Sequence, residues 1–264
     1  MLIDGILIEK DGCKTLCIIE ELSDALKKLM RKELSSIMHG SNEVLQLPEY
    51  HTYQNTLKFF LDRYEGKSEN TQKGMIGELL SHILLPILYD HLTSISVLKN
   101  KEERSIKKGF DIIFCDLSKR NIWYSEVKSG HLNASNVVAN ANDILLNRAY
   151  SGIKEMFLSG RDSLWQSAII DVSLTIEDGF KSTLKKLLAQ DSPYVSSTQS
   201  NDKNVILISV LYEDIQNNLE LSDIDGFLDK IEGQAEFEEI LICSIQKGTY
   251  QKVAEFLRED SKDG

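Results

Sequence analysis

Gly109-Phe110-Asp111-Ile112-Ile113-Phe114-Cys115, followed after a short polar stretch by Asn121-Ile122-Trp123-Tyr124-Ser125-Glu126-Val127-Lys128-Ser129-Gly130, is the part of this chain on which the fold turns. Both runs are rich in β-branched and aromatic residues and read as strands. Between them, Asp116-Leu117-Ser118-Lys119-Arg120 is polar enough for a hairpin connection. Antiparallel pairing across it would bring Asp111 and Glu126 to the same end of the pair. Strand side chains alternate between faces, so Glu126 and Lys128 share one face while Val127 points the other way, into a core.

These residue types suit one chemistry. A hard divalent cation, Mg²⁺ or Mn²⁺, takes oxygen ligands in near-octahedral geometry; the carboxylates of Asp111 and Glu126 and a strand carbonyl at Val127 would supply part of that shell and water the rest. Lys128 would then reach the attacking water or the scissile phosphate. Such a site cleaves a phosphodiester without a protein nucleophile. An acid early in one strand and Glu-x-Lys at the end of the next is the arrangement of PD-(D/E)xK nucleases. Glu-x-Lys alone is common on exposed strands, so a solvated hairpin with idle charges is the competing reading.

With 264 residues, 42% of them hydrophobic, the chain can bury a sizeable core as one large or two small domains. The longest apolar runs, 83–89 and 205–212, are far too short to span a bilayer, so no membrane association is expected. No cationic segment precedes an apolar one at the start, and Cys13, Cys17, Cys115 and Cys243 form no pairing framework; reduced thiols in a cytoplasm are the expectation. Cys13 and Cys17 could begin a zinc site, but no second Cys/His pair follows at suitable spacing. The formal charge of −11 sits awkwardly with phosphate binding, yet residues 211–240 hold ten acids against Lys230 alone, leaving the remainder at −2. Lys99, Lys101, Arg104, Lys107 and Lys108 lead into Asp111, and Arg104, Lys107 and Lys108 are candidates for holding a nucleic-acid backbone.

Along the chain, residues 1–20 read as a hairpin turning at Asp11-Gly12, and 20–39 as a helix stopped by Gly40. Residues 41–52 read as a linker, 53–64 as a short helix and 71–92 as a helix. Gly66-Lys67-Ser68 lacks the earlier glycine and the preceding strand that a phosphate loop needs. In the 71–92 helix, Glu78 lies at the margin of the apolar stripe after Gly74 and Gly77, which permit close backbone approach; it is either a peripheral ion-pair partner or a site residue. Residues 136–158 read as a long helix. The stretch 161–190 fits either an alternating strand or one helical face, with helix preferred. A loop around Pro193, a buried strand at 205–212, an acidic helix at 219–231, an outer strand at 240–245 and a helix at 249–258 complete the order.

On Gly77-Glu78, Gly109-Phe110-Asp111 and Ser125-Glu126-Val127-Lys128, the chain resembles the nuclease subunit of the Hachiman anti-phage defence system, the HamA family. The resemblance implies an α/β fold with a PD-(D/E)xK restriction-endonuclease-like core, a mixed central sheet flanked by helices. Residues 1–70 would form a hairpin-plus-helix extension and 71–264 the nuclease domain, with its acidic segment at 211–240. It further implies a metal-dependent nuclease acting on DNA with a superfamily 2 helicase as partner. Asp111 and Glu126 would be metal ligands, Lys128 the catalytic lysine and Glu78 the helix acid. Phe110 stands where the motif's name has proline. Two alternatives remain: a catalytically silent docking module for the helicase, and a restriction or repair nuclease of the same fold. The acids at 211–240 would then face either a basic partner or solvent.

Overall fold

The computed structural model describes residues 3–98, 109–131, 137–195, 200–231 and 233–262. Its strands are β1 (Ile6–Asp11), β2 (Lys14–Ile19), β3 (Leu92–Ser94), β4 (Ile112–Asp116), β5 (Asn121–His131), β6 (Asn204–Tyr212) and β7 (Glu239–Lys247). The helices are α1 (Asp24–His39), α2 (Ser41–Gln46), α3 (Tyr53–Tyr64), α4 (Glu69–Leu88), α5 (Val138–Leu158), α6 (Ser163–Thr175), α7 (Asp178–Asp191), α8 (Asp225–Ile231) and α9 (Gln251–Asp260).

All nine residues of β6 are buried, as a near-continuous run of Val, Ile and Leu demands of a strand covered on both faces. It lies mid-sheet in the order β1-β2-β7-β6-β5-β4-β3, and β2, β7, β6 and β5 are mutually parallel. Alternate β6 side chains enter different cores. Ile206, Ile208 and Val210 pack with α1, α3, α4 and α9, whereas Val205 and Leu207 pack with α5, α6, α7 and α8. The result is a mixed α/β protein with a seven-strand sheet between two helical layers.

Several local readings change, while the helix preferred for 161–190 holds. The strand at 240–245 is not outer: β7 has β6 on one side and β2 on the other, with Lys14 opposite Ile242. The N-terminal hairpin supplies that neighbour, so its strands belong to the main sheet. Its turn residues are Gly12 and Cys13, since Asp11 already pairs with Lys14; Gly12 takes the left-handed backbone, φ 56°. Residues 41–52 include α2, and the acidic segment at 219–231 is a 3₁₀ turn (Leu221–Ile224) running into α8. The 161–190 stretch forms α6 and α7: Trp165, Ala168 and Val172 are buried together, while Ile170, which alternation would bury, is half exposed.

Ser68 starts α4, its hydroxyl accepting from the Thr71 N–H at 3.4 Å, which gives the Gly66-Lys67-Ser68 triplet a capping role. α4 crosses β5 closely at Gly77, where a Cβ would fall 1.9 Å from Ser129 Oγ; at Gly74 a Cβ would meet nothing within 4 Å. Among the described residues no helix is long and apolar enough to cross a membrane, and all four cysteines are free thiols.

Candidate active site

β4 and β5 pair antiparallel from Asp116↔Asn121 to Ile112↔Ser125, and there β4 ends while β5 continues for six residues. Asp111 therefore arrives opposite Glu126 with no ladder left to join. Its Oδ2 accepts the Val127 N–H at 2.8 Å, satisfying a strand donor that has lost its partner. The carbonyl of a strand residue points to the same side as its N–H, so Val127 turns both groups toward Asp111. Phe110 fixes this arrival. It is 2% exposed and its ring lies 4.5 Å from Tyr124, 5.4 Å from Trp165 and 5.6 Å from Phe157. Phe110 is an aromatic anchor in the core beneath α5 and α6.

Glu126 and Lys128 project from one face of β5, and Lys128 Nζ donates to Glu126 Oε1. Val127 points into the opposite core at 8% exposure. The face that carries the pair is covered by α5, and the contact is made possible by Gly152. A Cβ there would lie 2.9 Å from Glu126 Oε1 and 3.5 Å from Cδ. α5 is held in place by a buried polar pin, Ser209 Oγ donating to Asn142 Oδ1 at 2.5 Å and meeting Ser244 Oγ at 3.0 Å. Neither Gly152 nor Asn142 stood out in the sequence. A glycine interrupting a strong helical pattern was the available signal.

Burial pushes the Glu126 carboxyl up to about 8, and the Asp111 charge adds to it; Lys128 opposes both without reversing them. For Lys128, burial works to lower the ammonium, but Glu126, Asp111 and Glu78 together hold it above its ordinary value. Glu78 is half-buried on α4, beside the Gly77 contact with β5, and its charge is felt at Lys128 although α4 packs on the opposite face of the sheet. Asp111, Glu126, Val127, Lys128 and Glu78 are thus brought into one region. Arg104, Lys107 and Lys108 lie outside the described residues.

Several acids at 211–240 are engaged within the chain. Asp225 pairs with Lys14 at 2.6 Å, Glu236 with Lys154 at 2.6 Å, and Asp223 accepts the Glu220 N–H at 2.8 Å. The same segment's Lys230 binds both oxygens of Asp143 at 2.7 Å. The Lys14–Asp225 and Lys230–Asp143 pairs link α8 to β2 and to α5.

The donor set suits a hard cation: two adjacent carboxylates whose mutual repulsion raises one of them, with a strand carbonyl turned to the same side. Among the described residues no group of three or more His, Cys, Asp or Glu side chains is disposed to hold a metal, so a site here would draw on that carbonyl and on water. Fold and site together define a mixed α/β protein with an acid–acid–lysine cluster where a short strand ends beside a long one. A model of the HamA family matches residues 4–258, and the chain belongs to that family, the Hachiman defence component it resembles in sequence. No curated protein matches it.

Proposed function

We propose that this HamA-family chain is a metal-dependent DNA nuclease of the PD-(D/E)xK type, working inside a Hachiman anti-phage complex with a superfamily 2 helicase. The observation that carries the reading is the Asp111 carboxylate, fixed on the Val127 N–H beside the Glu126–Lys128 pair. Family membership supports the defence role and fits a protein that works in a complex.

In this reading Asp111, Glu126 and the Val127 carbonyl would hold Mg²⁺ or Mn²⁺, and a cation bound there would supply charge neutralisation at the phosphoryl oxygens and a more acidic water. Lys128, kept protonated by the acids around it, donates to a non-bridging oxygen of the scissile phosphate or orients the water. Glu78 sets the field at that ammonium from across the sheet. Phe110 and Gly152 keep the two carboxylates where they are.

The test is cleavage of labelled DNA with Mg²⁺ or Mn²⁺ by Glu126→Ala and Lys128→Ala, each assembled with the helicase subunit. Activity should fall by roughly two orders of magnitude or more. Circular dichroism of the same preparations should be unchanged. Glu126→Ala protein that cuts as wild type does would sink the assignment.

A further inference from the structure

Beside Lys128 a groove of about 640 Å³ opens along one stripe of α5, formed by Ile144, Asn147, Arg148, Ser151 and Glu155 with Gly152 at its floor. These residues recur at the three- and four-residue spacing of a single helix face. The opposite face of α5, through Leu145, Leu146, Ala149 and Ile153, is buried. The stripe is therefore a built surface running away from the proposed scissile position, which Glu126 marks by its contact with Gly152.

The charges in the groove are not equivalent. The Lys128 ammonium is engaged by Glu126, and Asp143 is neutralised by Lys230 through both of its oxygens. Among the described residues Arg148 has neither an ion-pair nor a hydrogen-bond partner, and it is exposed. One helical turn separates it from Gly152, about 6 Å along the axis at 1.5 Å per residue. Glu155 stands at the other end of the stripe, also exposed. A polyanionic strand laid on this face is attracted at one end and repelled at the other.

The geometry points to Arg148 as the residue that holds the phosphate next to the scissile one, so that the cut DNA strand lies along α5 from Arg148 to Lys128 and turns away before Glu155. The guanidinium offers a planar fork of donors suited to a phosphate. The Asn147 amide and the Ser151 hydroxyl flank it, with half-exposed Ile144 as an apolar contact for a sugar or base. This inference rests on the nuclease reading for the position of the scissile phosphate, but its test does not depend on cleavage.

Binding of a fluorescein-labelled DNA oligonucleotide to the full chain, measured by anisotropy across a salt series without divalent metal, is the experiment. Arg148→Ala should weaken binding about tenfold at low salt and lower the slope of log affinity against log salt by about one. Arg148→Lys should keep most of the slope, because it keeps the charge. Lys186→Ala, which removes an exposed cation on α7, should match wild type. Wild-type binding by Arg148→Ala, an equal loss in Lys186→Ala, or no DNA binding by the wild-type chain at low salt would each overturn the proposal. Cleavage by Glu126→Ala is scored separately, so failure of the nuclease reading and failure of the Arg148 reading give different results.

Discussion

Two antiparallel hairpins close the two ends of the parallel core, and they are built differently. β1 and β2 are six residues each and pair along their whole length, from Ile6↔Ile19 to Asp11↔Lys14. β4 has five residues and β5 eleven, so β5 outruns its partner. In the matched hairpin every residue of β1 has a partner in β2, up to the turn. The unmatched one leaves the Val127 N–H open, Asp111 takes it, and two carboxylates are forced together at the point where the ladder stops. A site of this kind comes from an unfinished edge, and the cost of crowding like charges there is borne by the packing of Phe110 and α5.

The sharpest way to break that difference is to remove the anchor. Phe110→Ala should cost about 3–5 kcal/mol of stability, as for other buried aromatic truncations, read by denaturant unfolding. Gly152→Ala should separate geometry from stability. Alanine favours a helix interior over glycine by about 1 kcal/mol, so the melting temperature should hold or rise. The new Cβ nevertheless displaces the Glu126 carboxylate, and DNA cleavage should fall by at least about tenfold.

A smaller effect is the pH dependence of the metal-free chain. Glu126 is raised from 4.5 to about 8 in the folded state, so that state binds the extra proton between those values. The stabilisation is complete below the lower value and is lost as pH rises through the upper one. Thermal melts from pH 5 to 9 should fall with pH, and Glu126→Gln should flatten that fall. A steeper fall in the variant would refute the assignment. Least of all should come from the matched hairpin: Lys14→Ala removes ion pairs to the exposed acids Asp11 and Asp225, and should lower stability by about 1 kcal/mol or less while leaving cleavage unchanged.

The unmatched hairpin was legible in the sequence because its contacts are local. A short polar connector, four residues between Asp116 and Asn121, joins two β-rich runs and fixes the pairing, and alternation then places Glu126 and Lys128 on one face. The buried run at 205–212 was legible for the same kind of reason, its continuous apolar character. The position of β7 was not. Its local pattern begins with exposed Glu239 and suits an edge, while the neighbour that makes it interior is a strand more than two hundred residues earlier. The pairing of Asp225 and Glu236 was hidden likewise, because Lys14 and Lys154 reach them only through the fold.

The sequence by itself determined most of the element types, the acid and Glu-x-Lys strands, and the resemblance to the HamA family, since each depends on residues close together in the chain. Only the tertiary structure decided that Phe110 would anchor the approach to Asp111 in the aromatic core, that Gly152 would make room for Glu126, that Glu78 would act on Lys128 from the opposite face, and that Arg148 would open onto the same groove. Those relations are distances between separate elements, set by how α4 and α5 pack on the two faces of the sheet, and no periodicity within either helix encodes them.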